Sequence, residues 1–337
     1  MKKANQTNQS AETPACQKKT TIGGQALIEG LLMIGPKKKA MAIRKPDGTI
    51  MIEELPGGRF SKAAEIPFLR GSVRLFRQLV TGTRALMRSA EFSEDETSNE
   101  TETGTKGTGS VPKKSALDRF FEKHMDLMLY GSVVVGLLFS VGLFILLPNL
   151  ITSFIHQYSG LDPANGWSDS VILALIEGLI RITLFIGYLY LASRMKDIRR
   201  VWMYHGAEHK TIACYEAGLD LSVENARVFS RFHPRCGTAF MFIVIMVSII
   251  VFSFIGWRSR WLNLLIRFAL VPLVAGIAYE IIRLAGRHDT RLTRAVSVPG
   301  LWLQRLTTAE PDDSMLEVAI AAMNAVRPEE EGVQDKW

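Results

Sequence analysis

LMLYGSVVVGLLFSVGLFILLPNLITSFI, residues 127–155, runs for 29 residues without an Asp, Glu, Lys or Arg. A helix needs about 20 apolar residues to cross a bilayer, so this stretch alone excludes a purely soluble fold. The first span is predicted over residues 127–147, ended by Pro148. Three further segments outward from it have the same character. Residues 240–257 are free of charge, and residues 170–193 carry only Glu177 and Arg181, which at i and i+4 share a helix face and can pair within hydrocarbon. Residues 261–282 carry Arg267 and Glu280 near their two ends, where long side chains can reach the interface. The excess of apolar residues, 47% of 337 against 22% charged, is thus concentrated in four predicted spans.

Lysine and arginine counts give the orientation. There are 21 before Asp126, none over residues 148–169, 8 over 194–237, 2 over 256–263 and 7 from Arg283 onward. That alternation predicts a multi-pass protein of the inner (plasma) membrane with both termini in the cytoplasm, by the positive-inside rule. It also accounts for much of the net charge of +7, and with no DNA- or RNA-reading motif a nucleic-acid partner is not expected. The first residues run from Met1, Lys2 and Lys3 into polar residues with no apolar core, so no cleavable signal peptide is expected. Cys16, Cys214 and Cys236 are too few for a disulfide scaffold.

The regions flanking the spans divide further. Residues 1–20 are polar and predicted to be disordered, residues 21–92 form a small cytoplasmic N-terminal domain, and residues 93–115 form a flexible linker. The membrane domain spans 116–306 with a His-rich cytoplasmic loop at 194–237, and 307–337 forms a C-terminal cytoplasmic helix and tail. Residues 40–55 alternate apolar and polar around Pro46, Asp47 and Gly48, the pattern of a β-hairpin. Residues 67–90 follow a helical rule: Leu69, Val73, Phe76, Val80, Thr83 and Met87 form one stripe, with Arg70, Arg74, Arg77, Arg84 and Arg88 beside it. Such a helix can lie on the inner leaflet and contact anionic lipid, or it can pack its apolar stripe on the hairpin or the bundle. Asp312, Asp313 and Ser314 precede an amphipathic run at 315–326, which reads as a capped helix. The fold class predicted is mainly α, a polytopic membrane protein of about four transmembrane helices with a small N-terminal region holding a β-hairpin and an amphipathic helix. GGQALIEGLLMIGP, residues 23–36, lacks the Gly-Lys-Ser/Thr ending of a phosphate loop, and its Gln25 and Glu29 are expected to make specific buried contacts.

The segment with chemical content is WMYHGAEHKTIACYEAG, residues 202–218. His205, Glu208 and His209 have the H-x-x-E-H spacing of the inverted zincins. On a helix the two imidazoles stand about 40° apart with a rise of about 6 Å, so both can reach one metal ion. A flanking carboxylate can then act as general base toward a water that the metal polarises. Glu216 shares their face but stands about 10 Å beyond His209 along the helix, too far to bind the same ion. A third ligand is expected from elsewhere, with His233 and Cys236 in SRFHPRCG, and His288 and Asp289 after the fourth span, as candidates. Cys236 reads either as a ligand or nucleophile or as a buried structural thiol, and Cys214 reads as packing. His124, His233 and His288 taken singly can also simply solvate helix ends.

GGQALIEG, YHGAEHKTIACYEAG, SVENARVFSRFHPRCGTAF and PDDSMLEVAIAA together resemble the YqhQ-like family of bacterial integral membrane proteins, whose domain carries an unknown-function label. The resemblance runs from Thr21 to Val326. It implies a metal-dependent enzyme, with His205, Glu208, His209, His233 and Cys236 as its site. The expectation from the residues is a hydrolase at the cytoplasmic membrane face: His205 and His209 hold the metal, Zn²⁺ by ligand type, His233 or Cys236 completes the site, and Glu208 is the general base. The alternative is a non-catalytic scaffold or assembly factor with a structural metal site. Four closed protein ligands favour the scaffold, and an open position favours the enzyme.

Overall fold

Two short hairpins follow one another in the N-terminal third: β1 (Gly23–Leu27), β2 (Gly30–Ile34), β3 (Lys39–Arg44) and β4 (Ile50–Leu55). They pair antiparallel in sequence order, with Gln25 opposite Leu32, Leu32 opposite Met41 and Met41 opposite Glu53. The structure, a computed structural model, describes residues 19–56, 66–94, 125–161, 166–255, 260–287 and 290–328. The expectations for residues 1–18, for most of the linker, and for His124, His288 and Asp289 fall outside these.

The predicted hairpin at 40–55 is β3 and β4. Gly48 turns it at φ 86°, and the Asp47 carboxylate accepts the N–H and hydroxyl of Thr49. The first hairpin was not foreseen, for a physical reason. Leu31, Met33, Ala40 and Ala42 bury one face of the sheet, while Leu27, Leu32, Met41 and Ile43 bury the other. A strand covered on both faces, as β2 is, loses the apolar–polar alternation by which a strand is recognised, whereas the hairpin at 40–55 is also marked by its Pro46, Asp47 and Gly48 turn.

The first face packs on α5 (Lys196–Glu216) and α10 (Asp313–Val326) through Tyr204, Ala207, Met315, Leu316 and Ala319. Each large side chain so buried contributes roughly 1.5–3 kcal/mol. As expected, α10 is capped: the Asp312 carboxylate accepts the Met315 N–H at 3.0 Å, a cap contributing about 1 kcal/mol. The second face receives α1 (Leu69–Glu94) through Ala85, and the Ser89 hydroxyl accepts the Ile28 N–H. Gln25 faces Gly82, where a Cβ would stand 1.9 Å from its Oε1. Glu29, at φ 51° in the β1–β2 turn, pairs with Arg200 and lies 3.3 Å from the Tyr204 hydroxyl.

Among the described residues, four helices are long and apolar enough to span a membrane: Gly131–Ser159, Trp167–Ala192, Gly237–Ile255 and Trp261–Ala285. The chain is a multi-pass membrane protein. The first span is composite, made of α2 (Met125–Val141), a π-helical turn (Gly142–Leu146) and α3 (Leu147–Ser159). Pro148 therefore does not end it. The proline lies in the first turn of α3, where a missing N–H is tolerated, and the π turn before it absorbs the mismatch. Pro148 returns no N–H to the Phe144 carbonyl four residues back, and that oxygen instead accepts Arg181 Nε at 3.0 Å.

Arg181 lies on α4 (Trp167–Ala192), and from there the four spans meet in one buried ionic network. Glu177 accepts Arg181 at 2.8 Å and also receives Arg267 of α8 (Arg260–Arg287). Arg181 donates to Ser248 of α7 (Gly237–Ile255), and both guanidiniums lie over the Phe252 ring at 5.6 and 5.3 Å. The expectation that Arg267 reaches the interface is corrected. Arg267 turns inward to the Glu177 carboxylate, because solvating a charge within the bundle is cheaper than exposing it to lipid, and Glu280 pairs with Arg70 of α1. Helix α9 (Arg291–Thr307) lies across the ends of α8, α7 and α4, with Gly300 against Ala239 and Leu303 among Phe185, Leu189 and Ile245.

Candidate metal centre

Helix α5 presents three faces to three surroundings. Tyr204 and Ala207 enter the sheet core, Glu208 points to β1, and His205 and His209 point to the segment that runs from the short helix α6 (Val223–Arg227) into α7. Gly206 makes the close packing feasible. Residues 307–311 cross the helix there, the Ala309 N–H bonds the Trp202 carbonyl at 2.9 Å, and a Cβ on Gly206 would stand 2.2 Å from the Ala309 oxygen.

The ligand atoms of His205, His209 and Cys236 all lie within 4.8 Å of one another, and the group can hold a metal ion. With metal–nitrogen bonds of about 2.0–2.1 Å and a metal–thiolate bond of about 2.3 Å, one small ion can reach all three. The ring orientations support this. His205 Nδ1 lies 2.8 Å from the Thr307 carbonyl and His209 Nδ1 lies 2.6 Å from the Arg231 carbonyl. A carbonyl oxygen only accepts, so each Nδ1 carries the proton and each Nε2 is left as the lone-pair donor. His205 Nε2 lies 3.2 Å from Cys236 Sγ. Backbone carbonyls fixing the tautomer are the usual outer partners of metal-binding histidines. Burial holds the His209 pKa below the ordinary histidine value, with Cys236 acting against it, so the ring stays neutral as ligation requires.

Glu208 is buried beside this group, its Oε1 accepting the Gly24 N–H at 2.8 Å. Burial raises its pKa, while the neighbouring His205 and the Gly24 N–H pull it down. His233 stands apart from the three. Its Nε2 faces Glu216 at 3.4 Å, its ring centroid is 5.6 Å from that of His209, and its backbone is clasped at both ends by the Gln304 amide. Glu216 also accepts Arg235 and the Thr20 N–H. Burial would raise the Glu216 pKa, but the hydrogen bond from His233 and the charge of Arg235 outweigh it and hold the carboxyl below its ordinary value. Cys214 is buried in the sheet core, its thiol pushed up to about 11 by burial, and plays no part in the group.

A family model described as "Protein of unknown function (DUF1385)" matches residues 66–329. The chain belongs to this family. The uncharacterized protein YqhQ of Bacillus subtilis (strain 168) is 36% identical over 311 residues, covering 90% of this chain and 91% of that protein. No solved structure matches. In this DUF1385 protein the sequence reading did not reach the carbonyls of Thr307 and Arg231, which carry no side-chain signature, or the Thr238 hydroxyl, 2.8 Å from Cys236 Sγ. Glu216 carried a signal, its place on the histidine face, but its partners lie far away in sequence.

Proposed function

We propose that this protein is a metal-dependent hydrolase acting on a substrate at the cytoplasmic face of the inner membrane, with Zn²⁺ as its metal. The observation that carries the reading is the convergence of His205, His209 and Cys236, with both Nδ1 atoms engaged by backbone carbonyls and a third ligand drawn from the head of a membrane span. Cys236 immediately precedes Gly237, the first residue of α7, so the group sits where the chain enters the bilayer. Three protein ligands among the described residues leave a coordination position free, the arrangement of catalytic rather than structural zinc sites. A divalent ion held there would supply Lewis acidity toward water and a substrate carbonyl or phosphoryl oxygen. Glu208 is the general base, its carboxylate oriented by the Gly24 N–H. His233, Glu216 and Arg235 form an outer network that fixes the chain on which Cys236 stands.

Both termini lie in the cytoplasm in this reading, as the lysine and arginine distribution supports. Of the α1 arginines, Arg70 and Arg74 are engaged by Glu280 and Tyr279 and Arg88 by Glu91. Arg84 is exposed, and it and its neighbours on the stripe are the contacts offered to anionic headgroups.

Elemental analysis of the purified protein tests the site. About one equivalent of a transition metal is expected. It should vanish in the His205→Ala, His209→Ala double variant. Unchanged metal in that variant, or none in the native protein, removes the proposal.

A further inference from the structure

Helix α1 begins inside a membrane span's territory. Gly71 packs against Tyr279 and Gly276 of α8, and the Phe68 carbonyl closes on Gly276. Ser72 Oγ donates to the Pro272 carbonyl, and Arg74 Nη1 donates to the Tyr279 hydroxyl at 2.8 Å. The candidate span ends at Ala285. Gly276 and Pro272 lie nine and thirteen residues before that end, about 13 and 20 Å along the helix axis. A hydrocarbon core is about 30 Å thick, so the first turns of α1 lie at the depth of acyl chains.

The face of α1 beside its packed one suits that depth. Gly71, Gly82, Ala85 and Ser89 form its buried face, whereas Leu75, Phe76, Leu79 and Leu86 project from another, with Phe76 67% exposed. On α8, against which α1 packs, Leu273 and Leu284 are also exposed. A free arginine at this depth would be costly, but Arg70 is neutralised by Glu280.

We propose that α1 is a half-inserted helix: its N-terminal turns enter the leaflet on the sheet's side of the membrane, and acyl chains cover its apolar face. This goes beyond headgroup contact by the arginine stripe and does not depend on the metal centre. Because Gln25 of β1 packs on Gly82 of the same helix, insertion also sets the height of the sheet, and of α5 behind it, above the bilayer.

Spin labelling of the full chain in lipid nanodiscs tests this. With Cys16 replaced by Ser, and Cys214 and Cys236 buried, a nitroxide is placed at Phe76→Cys, at Leu79→Cys, and at Asp47→Cys in the exposed β3–β4 turn. The two α1 positions are exposed, so labelling them disturbs no packing. Collision with molecular oxygen relative to collision with a water-soluble nickel chelate should be several-fold higher at residues 76 and 79 than at residue 47. A ratio equal to that at residue 47 would place the face in water and overturn the proposal. Low collision with both reagents would mean that protein, a second copy or another partner, covers the face, which overturns it equally.

Discussion

At the scale of single residues, the proposed chemistry separates Glu208 from the two histidines on its own helix. Glu208→Gln preserves size and can still accept the Gly24 N–H, but it cannot take up a proton at neutral pH. It should keep metal and melting temperature and lose in-cell function, since removing a general base costs about 10²- to 10⁴-fold in rate. His205→Ala should lose metal and function together. Full complementation of a null strain by Glu208→Gln would shift the reading to the scaffold with structural ligands. Gly206→Ala addresses the strap that orients His205. The added methyl meets the Ala309 carbonyl, so residues 307–311 must lift, carrying the Thr307 oxygen away from His205 Nδ1. Reduced metal affinity in equilibrium competition with a chelator, together with a lower melting temperature, is the expected outcome. The H-x-x-E-H spacing made two members of the candidate metal group legible because i,i+4 proximity is a local property of helices. The choice between His233 and Cys236 was not legible. They are three residues apart in one turn, and only the pull of Glu216 on His233 separates them.

At the scale of elements, composition revealed depth but not direction. Hydropathy located all four spans, yet it placed Arg267 at an interface because a count along the chain cannot say which way a side chain turns. Pro148 misled in a related way: proline breaks a helix interior but is accommodated after a π turn, and the freed Phe144 carbonyl becomes an acceptor for Arg181. Among the described residues, the ionic network holds two guanidiniums and one carboxylate. Charge arithmetic therefore orders two substitutions. Glu177→Leu leaves both arginines without their shared counter-charge, and breaking such a buried pair costs about 3–5 kcal/mol. Arg267→Leu leaves a neutral Glu177–Arg181 pair. Thermal unfolding in detergent should show the larger loss for Glu177→Leu. The reverse order would mean that the arginines are neutralised by something other than this carboxylate.

For the whole molecule, the sheet domain, the head of α7 and the C-terminal end of α8 must share one side of the membrane. The Gly24 N–H bonds Glu208 on α5, Cys236 at the start of α7 faces His205, and Arg70 reaches Glu280 near the end of α8. With four spans, this closure requires that both flanking regions lie together. It leaves the connection between the first two spans and the one between the last two on the opposite side. In the proposed topology the shared side is the cytoplasm, which the alternation of lysine and arginine supports, since none falls in residues 148–169 against 21 before Asp126. Reporter fusions after Ser93 and at the C-terminus should therefore report cytoplasmic, and one inserted between Ser159 and Trp167 should report external. The network makes these outcomes interdependent. A C-terminus external while Ser93 is cytoplasmic would require an odd number of spans, and it would place α9 and α10 across the bilayer from the residues they contact: Thr307 from His205, and Asp313 from Arg227. All three reporters inverted together would instead preserve every contact and move the metal group to the outer face. That result would refute the cytoplasmic hydrolase while leaving the fold and the His205, His209 and Cys236 group intact.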